Sequence, residues 1–132
     1  MELAAKWGDP LFSANVTNPI EPYAALVHHY RERWAHHGRD PGDALVGAGT
    51  AGYYAAKTSQ DAISTYRPIF EARQAAFRRQ GLPQVFHSLV DAIERSSALV
   101  GSPQQIIDKV HRYHKQIGHE VLHINADGAG LT

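Results

Sequence analysis

The sequence predicts an α/β fold built on parallel strands, and three observations carry that prediction. The first is the stretch from Gly101 onward, GSPQQIIDKVHRYHKQIGHEVLHI, which reads as helix, tight turn and strand. The second is a set of short apolar runs at Leu11–Val16, Ala44–Ala48 and Val121–Ile124. The third is the long helical patterns between those runs, because strands that alternate with helices pair in parallel through right-handed crossovers.

In the first of these stretches Ser102 is a good N-cap, Pro103 suits the first helical position, and Gln105 completes the spacing of a capping box. Ile106, Val110, Tyr113 and Ile117 recur at helical spacing, with Ile107 widening the apolar face. Gly118 stands where a left-handed residue ends a helix. Val121–Ile124 reads as a strand buried on both faces, since such a strand needs little alternation.

The remaining elements follow in order. Glu2–Trp7 is the tail of a helix closed by Gly8. Leu11–Val16 is a strand bounded by Pro10 and by Asn18-Pro19, and Thr17–Pro22 is a loop. Tyr23–His36 is a helix with Tyr23, Leu26, Val27, Tyr30 and Trp34 on one face, ended by Gly38 and Asp40-Pro41-Gly42. Ala44–Ala48 is a strand and Gly49–Lys57 a glycine-rich connection. Thr58 or Ser59 caps a helix over Gln60–Arg79 that Pro68 should kink or split. Gly81-Leu82-Pro83 is a break, and Val85–Leu99 is a further helix. Three strands of this kind leave two apolar edges open, so the chain is expected to pair with itself as a homodimer or to form part of something larger.

Composition narrows the function. The chain has 132 residues, 43% of them hydrophobic and 20% charged, which suits one soluble globular domain. Lys plus Arg and Asp plus Glu are 13 each, so no basic excess points to nucleic acid or to an anionic membrane. The absence of cysteine removes disulfide and thiol chemistry. No apolar run is long enough to span a bilayer, and the N-terminus lacks the pattern of a signal peptide, so a cytoplasmic protein is expected.

Gly47-Ala-Gly49-Thr-Ala-Gly52 is a literal G-x-G-x-x-G after an apolar run. A dinucleotide fingerprint also requires a second strand ending in an acidic residue about 20 residues on. Glu71 lies near that distance but in a helical segment, which favours a glycine-rich strand end. There are nine histidines. His111 and His114, three apart on a helix, could share a metal, yet there is no H-E-x-x-H pattern and no Cys, and solvated helix histidines explain them better. No metal is expected. His36 and His37 sit where a helix C-terminus favours a cation. The arginines are interspersed with Glu and Gln as solvated faces. In parallel α/β folds ligands bind at the carboxyl ends of strands. Those ends are Ala14-Asn15-Val16-Thr17, Gly49-Thr50 and Asn125-Ala126-Asp127, and each carries polar or small residues next to an apolar strand, which makes them a candidate binding face.

Several segments, in order, resemble the C-terminal part of the bacterial luciferase-like flavin-dependent monooxygenase family. They are Tyr30-Arg31 and Trp34 with Gly38-Arg39-Asp40-Pro41, then Val46-Gly47, then Gly52–Ala56 and the helix start at Thr58–Ala62. Leu99–Val110 follows, with Tyr113-His114, Gly118-His119 and a close at Gly128–Thr132. The Gly-Ser-Pro helix with its downstream Tyr-His and Gly-His is the specific part. The resemblance implies a (β/α)8 barrel, typically of roughly 250 residues, of which residues 1–132 would hold the last three strands with their helices. The run from Gly47 to Gly52 would then be a barrel strand and its exit. The implied activity is oxidation or oxygen insertion on a small molecule with O2 and reduced FMN, or with a deazaflavin, served by a flavin reductase. Asn15, Thr50, Asn125 and Asp127 would line the flavin or substrate mouth. The resemblance also implies that the first five strands are absent, with the family's usual catalytic His and Asp, and that the helix after the last strand is absent too. No catalytic residue carries over, and such a chain would be inactive alone. The reading from another class is a non-catalytic α/β module that self-associates through its open sheet edges.

Overall fold

A computed structural model describes residues 1–124. The first helix, α1 (Glu2–Trp7), ends at Gly8, which takes the left-handed conformation at φ 80° and donates its N–H to the Ala4 carbonyl. The first strand, β1, covers Leu11–Ser13 and is shorter than the sequence predicts. Pairing stops because Asn15 turns the chain through a positive φ of 56°, a conformation that Asn tolerates better than most residues.

The next helix, α2 (Ile20–His36), starts three residues before the predicted Tyr23. Pro22 falls within its first turn, where a missing N–H breaks no helical bond. Ile20, Val27, Tyr30 and Trp34 form its buried face. Tyr30 Oη donates to the Asp9 carbonyl at 2.7 Å, and Trp34 Nε1 to the Asp40 carbonyl at 2.7 Å. A 3-10 turn at Pro41–Asp43, capped by the Asp40 side chain, precedes β2 (Val46–Ala48).

Beyond β2 the structure departs from the expected three strands. Among the described residues there are five strand segments in two sheets. Tyr53–Ala55 forms β3 inside the predicted glycine-rich connection. The long helix α3 (Ser59–Arg79), capped by Thr58, runs unbroken through Pro68. Pro68 and Ser64, whose carbonyl the proline leaves unpaired, both lie on the exposed side, so water can take up that carbonyl. The predicted helix over Val85–Leu99 shrinks to α4 (Leu89–Arg95). Ser88 accepts from the Asp91 N–H, and the Asp91 carboxylate accepts from the His87 N–H at 3.0 Å, which fixes the start. The Ser96 hydroxyl accepts from the Ala98 N–H at 3.1 Å just past the end. That frees Leu99–Gly101 to form β4.

The predicted capping box then opens α5 (Pro103–Ile117), and Gly118 closes it at φ 68°. Arg31 of α2 reaches across to donate to the Ile117 carbonyl at 2.9 Å and to the Gly118 carbonyl, satisfying a helix end that would otherwise leave acceptors unpaired. The last strand, β5, is Val121–Leu122.

All pairings are parallel. One sheet has the order β1-β2-β5, with Leu11 opposite Val46 and Gly47 opposite Val121, and β3 pairs with β4 in the other. The run Gly47–Gly52 therefore leads from β2 into β3 and opens no helix, which removes the dinucleotide reading. Val46 and Ala48 of the first sheet are buried with Val27, Tyr30, Trp34, Tyr113 and Ile117 of α2 and α5. Its opposite face carries Phe12 and Val121, each more than half exposed. The expectation that Val121–Ile124 is buried on both faces thus fails, because among the described residues helices pack against one face only. A second cluster, around Ala62, Tyr66, Leu89 and Val100, ties α3 and α4 to β4.

Candidate functional site

The carboxyl ends of β1 and β2 meet in a buried hydrogen-bond network. The left-handed turn at Asn15 points its amide inward, where the residue is 2% exposed. The Ser13 hydroxyl donates to Asn15 Oδ1, and Asn15 Nδ2 donates to the Tyr113 hydroxyl. Tyr113 in turn donates to the Gly49 carbonyl at 2.7 Å. The Ser97 hydroxyl donates to the Asn15 carbonyl at 2.6 Å and accepts from the Ala51 N–H at 2.9 Å. Thr50 is buried beside them, with Oγ1 donating to the His123 carbonyl at 3.3 Å. Three separate segments, the β1 end, the β2 exit and the approach to β4, are thereby locked to α5. Gly49 has no room for a side chain, because a β-carbon would run into the Ala14 backbone carbonyl.

Burial pushes the Tyr113 hydroxyl above its ordinary pKa, and the hydrogen bond from Asn15 opposes that rise. The His119 ring lies 4.9 Å from Tyr113 and 5.3 Å from His114. Burial, and then the neighbouring His114, hold it below its usual pKa, and its Nδ1 has no hydrogen-bond partner. This neutral, enclosed imidazole supports the tyrosine ring. Among the described residues no three His, Cys, Asp or Glu side chains come together as a metal site.

Of the four candidate residues, Asn15 and Thr50 come to neighbouring strand ends. Their side chains face into the network, so they form a floor. Asn125 and Asp127 lie outside the described residues. An open cleft of 360 Å³ borders this floor. Val16, Thr17 and Asn18 after β1 and Ala51 after β2 form one side, Tyr66, Phe70, Arg73 and Phe77 of α3 another, and Leu82, Val85 and Phe86 the far wall. Arg73 Nη1 donates to the Ala51 carbonyl at 2.7 Å, which holds α3 over the β2 exit. The sequence signalled neither the cleft nor Ser97, and it marked Tyr113 as a helix-face residue without its hydroxyl's part in the network. The phenylalanines of α3 fall at the spacing of a helix face, and nothing local says that the face is left partly uncovered.

The network is built of hydroxyls, one amide and backbone groups, and no charged side chain takes part in its described hydrogen bonds. It positions backbone, and the cleft offers apolar walls of a size suited to a small organic molecule. A second buried feature lies one turn before Tyr113 on the same face of α5. Lys109 is 6% exposed and donates to the carbonyls of Ile93 and Ala98, joining the end of α4 to the start of β4. Burial, with Arg112 nearby, depresses its pKa to about 7.

Comparison with known proteins places the chain in a family. The luciferase-like monooxygenase family model matches residues 1–120. No curated protein sequence matches. Among solved structures, the monooxygenase RslO1 from Streptomyces bottropensis superposes with a TM-score of 0.65 at 20% identity, over 94% of this chain and 36% of its own. The oxygenating constituent of 3,6-diketocamphane monooxygenase from Pseudomonas putida, solved with FMN, gives 0.61 at 18% identity, over 97% and 40%. The coenzyme F420-dependent tetrahydromethanopterin reductase from Methanopyrus kandleri gives 0.64 at 15%, over 96% and 42%. The chain thus spans about two fifths or less of these structures, and its fold is part of a TIM barrel.

Proposed function

The chain belongs to the luciferase-like monooxygenase family, and on that premise we propose that it supplies one wall of a flavin-dependent oxidoreductase that acts with O2 on a small molecule. The observation that carries this reading is the junction of a rigid polar floor with an apolar cleft at the carboxyl ends of β1 and β2. Strand ends are where such folds bind ligands. Relatives of similar fold are described with FMN and with coenzyme F420, so a flavin or deazaflavin is the proposed cofactor.

The residues present fit the flat, apolar part of such a group. Val16 and Ala51 flank the floor, and Asn15, Ser97 and Tyr113 fix the backbone between them. The cleft lining holds one cation, Arg73, among the described residues, so a phosphate cradle has to come from elsewhere. A bound reduced flavin would supply the electrons for oxygen chemistry. The chain's own contribution is to hold Thr17, Asn18 and the β2 exit in place and to exclude water along the α3 aromatics. Asn125 and Asp127 are proposed to complete the mouth, and a separate flavin reductase to deliver the reduced cofactor. Residues 1–132 alone are proposed to bind flavin weakly and not to turn over.

Titration with FMN, followed by quenching of flavin fluorescence, tests the cofactor reading. Saturable quenching that weakens in Asn15→Ala supports it, and no quenching removes flavin binding by this chain. Oxygen consumption with an added flavin reductase tests the inactivity, which measurable turnover overturns.

A second reading is self-association through the sheet. Phe12 and Val121 flank Gly47 in register and are exposed together on one face. A dimer by light scattering that Phe12→Lys dissociates supports this reading, and a monomer at all concentrations removes it.

A further inference from the structure

The cleft beside the strand ends has a charge pattern that selects its ligand. Its walls are mostly aromatic and aliphatic, and folding leaves part of that surface open. Leu82 is 46% exposed and Val16 42%, although apolar surface gathered in one concave place is a recognition feature in soluble proteins. Among the described residues one charged side chain lines it. Arg73 has no carboxylate partner among the described residues, and one of its five N–H groups is bonded to the Ala51 carbonyl. The other arginine near the aromatics, Arg95, stacks over Phe86 at 5.2 Å, but Asp91 neutralises it at 2.7 Å. The polar groups near Arg73 carry no charge: Gln74 on the same helix, and Thr17 and Asn18 across the opening. An apolar trough with a single unneutralised guanidinium at its rim is complementary to a molecule with an apolar body and one carboxylate, because a carboxylate matches the guanidinium fork.

We propose that the cleft between α3, the Leu82–Phe86 segment and the β1 and β2 exits binds an amphiphilic monocarboxylate, with its apolar body along Phe70, Phe77 and Phe86 and its carboxylate on Arg73. This names the substrate class of the site proposed above and rests on that reading for its role in turnover. The binding itself requires no flavin.

The test is calorimetric titration of the flavin-free chain with decanoate, decanol and decylamine. Decanoate is expected to bind with one-to-one stoichiometry and at least about tenfold more tightly than decanol, the difference a charge-assisted hydrogen bond makes, and decylamine more weakly than either. Arg73→Gln should abolish the preference for decanoate and leave decanol binding in place. Arg73→Lys, which keeps the charge and can still reach the Ala51 carbonyl, should keep part of the preference. Ala92→Phe, which fills the base of the cleft, should weaken decanoate and decanol alike. Equal binding of decanoate and decanol, or an undiminished preference in Arg73→Gln, overturns the proposal. Because FMN is absent throughout, failure of flavin binding leaves this result untouched, and loss of decanoate binding leaves the flavin titration untouched.

Discussion

Lys109 is the side chain whose removal gives the clearest reading of the balance of forces in this chain. It sits on α5 with its ammonium between the end of α4 and the start of β4, donating to the Ile93 and Ala98 carbonyls. Glu94 and Arg112 border the same cavity of 520 Å³, and Arg112 opposes the lysine charge. Among the described residues no carboxylate bonds the ammonium, and burial disfavours its charged form. In the folded chain its pKa falls from 10.5 to about 7. Between those values the unfolded chain holds a proton that the folded chain does not. Stability must therefore rise as pH increases from 7, at up to about 1.4 kcal/mol per pH unit, with a ceiling of about 5 kcal/mol over the whole window. The two carbonyl acceptors favour the ammonium and reduce the true gain below that ceiling.

The perturbation is Lys109→Met, which keeps most of the stem and removes the charge. Urea unfolding followed by Trp34 fluorescence at pH 6 to 9 supplies the assay. The wild type should gain stability across pH 7 to 9, and the variant should lose that slope. At pH 6 the variant should come closest to the wild type or exceed it, because the buried charge is then most costly. At pH 9 it should be the less stable by about 1–3 kcal/mol, since two carbonyls lose their donor. A flat wild-type profile, or a slope that survives in Lys109→Met, refutes the reasoning.

Three further predictions follow from the network and its surroundings. Tyr113→Phe should cost about 1–3 kcal/mol in urea unfolding, because the Asn15 amide and the Gly49 carbonyl are left unpaired in a buried place. His119 is held below its usual pKa, so the unfolded chain takes up its proton first as pH falls. Stability should drop below about pH 6.5, and His119→Gln should flatten that acid limb, as read by thermal melts. Gly49→Ala should destabilise more than Gly47→Ala. At Gly49 the new methyl meets the Ala14 backbone, whereas at Gly47 it meets the edge of the Phe12 ring, which is exposed and can turn aside.

The parts of the fold that could be read from the sequence are those fixed by neighbouring residues. The Ser102–Gln105 capping box and the Gly118 stop depend on hydrogen bonds within one helical turn. The reach of α4 could not be read that way. Phe86, Leu89, Val90 and Ile93 keep a helical period across the whole stretch, and the cap at Ser88 and the turn at Ser96 override it at both ends. Tyr53–Ala55 lacks any alternation that would mark a strand, and becomes one because Leu99–Gly101 lies beside it. The site followed the same rule. Position at a strand end singled out Asn15, but its partner Tyr113 is 98 residues away. As a helix-face residue Tyr113 announced burial and nothing of its hydroxyl. Nothing local in the sequence sets Lys109 apart from Lys115 of the same helix, and only the folded path of Ile93 and Ala98 makes it the link between α4 and β4.

These distant links explain why the first sheet has one finished face and one open one. Side chains alternate along a strand, so the residues that fill the helix side, Val46 and Ala48, oblige Gly47 to face the other way. Gly47 admits the Phe12 ring over the backbone where a β-carbon would collide with it. Phe12, Gly47 and Val121 then form a row across three strands, with His123 edge-on to Phe12 at 6.1 Å. In a closed barrel that face is the interior, filled by side chains from the other strands. In a self-associated module it is the contact between copies. Both readings need the same apolar row. What separates them is the floor at the strand ends. A surface for contact alone gives no reason to bury Asn15 in a left-handed turn and hold it from two sides by Tyr113 and Ser97. A ligand mouth does, because the backbone that faces the ligand must be held in one place.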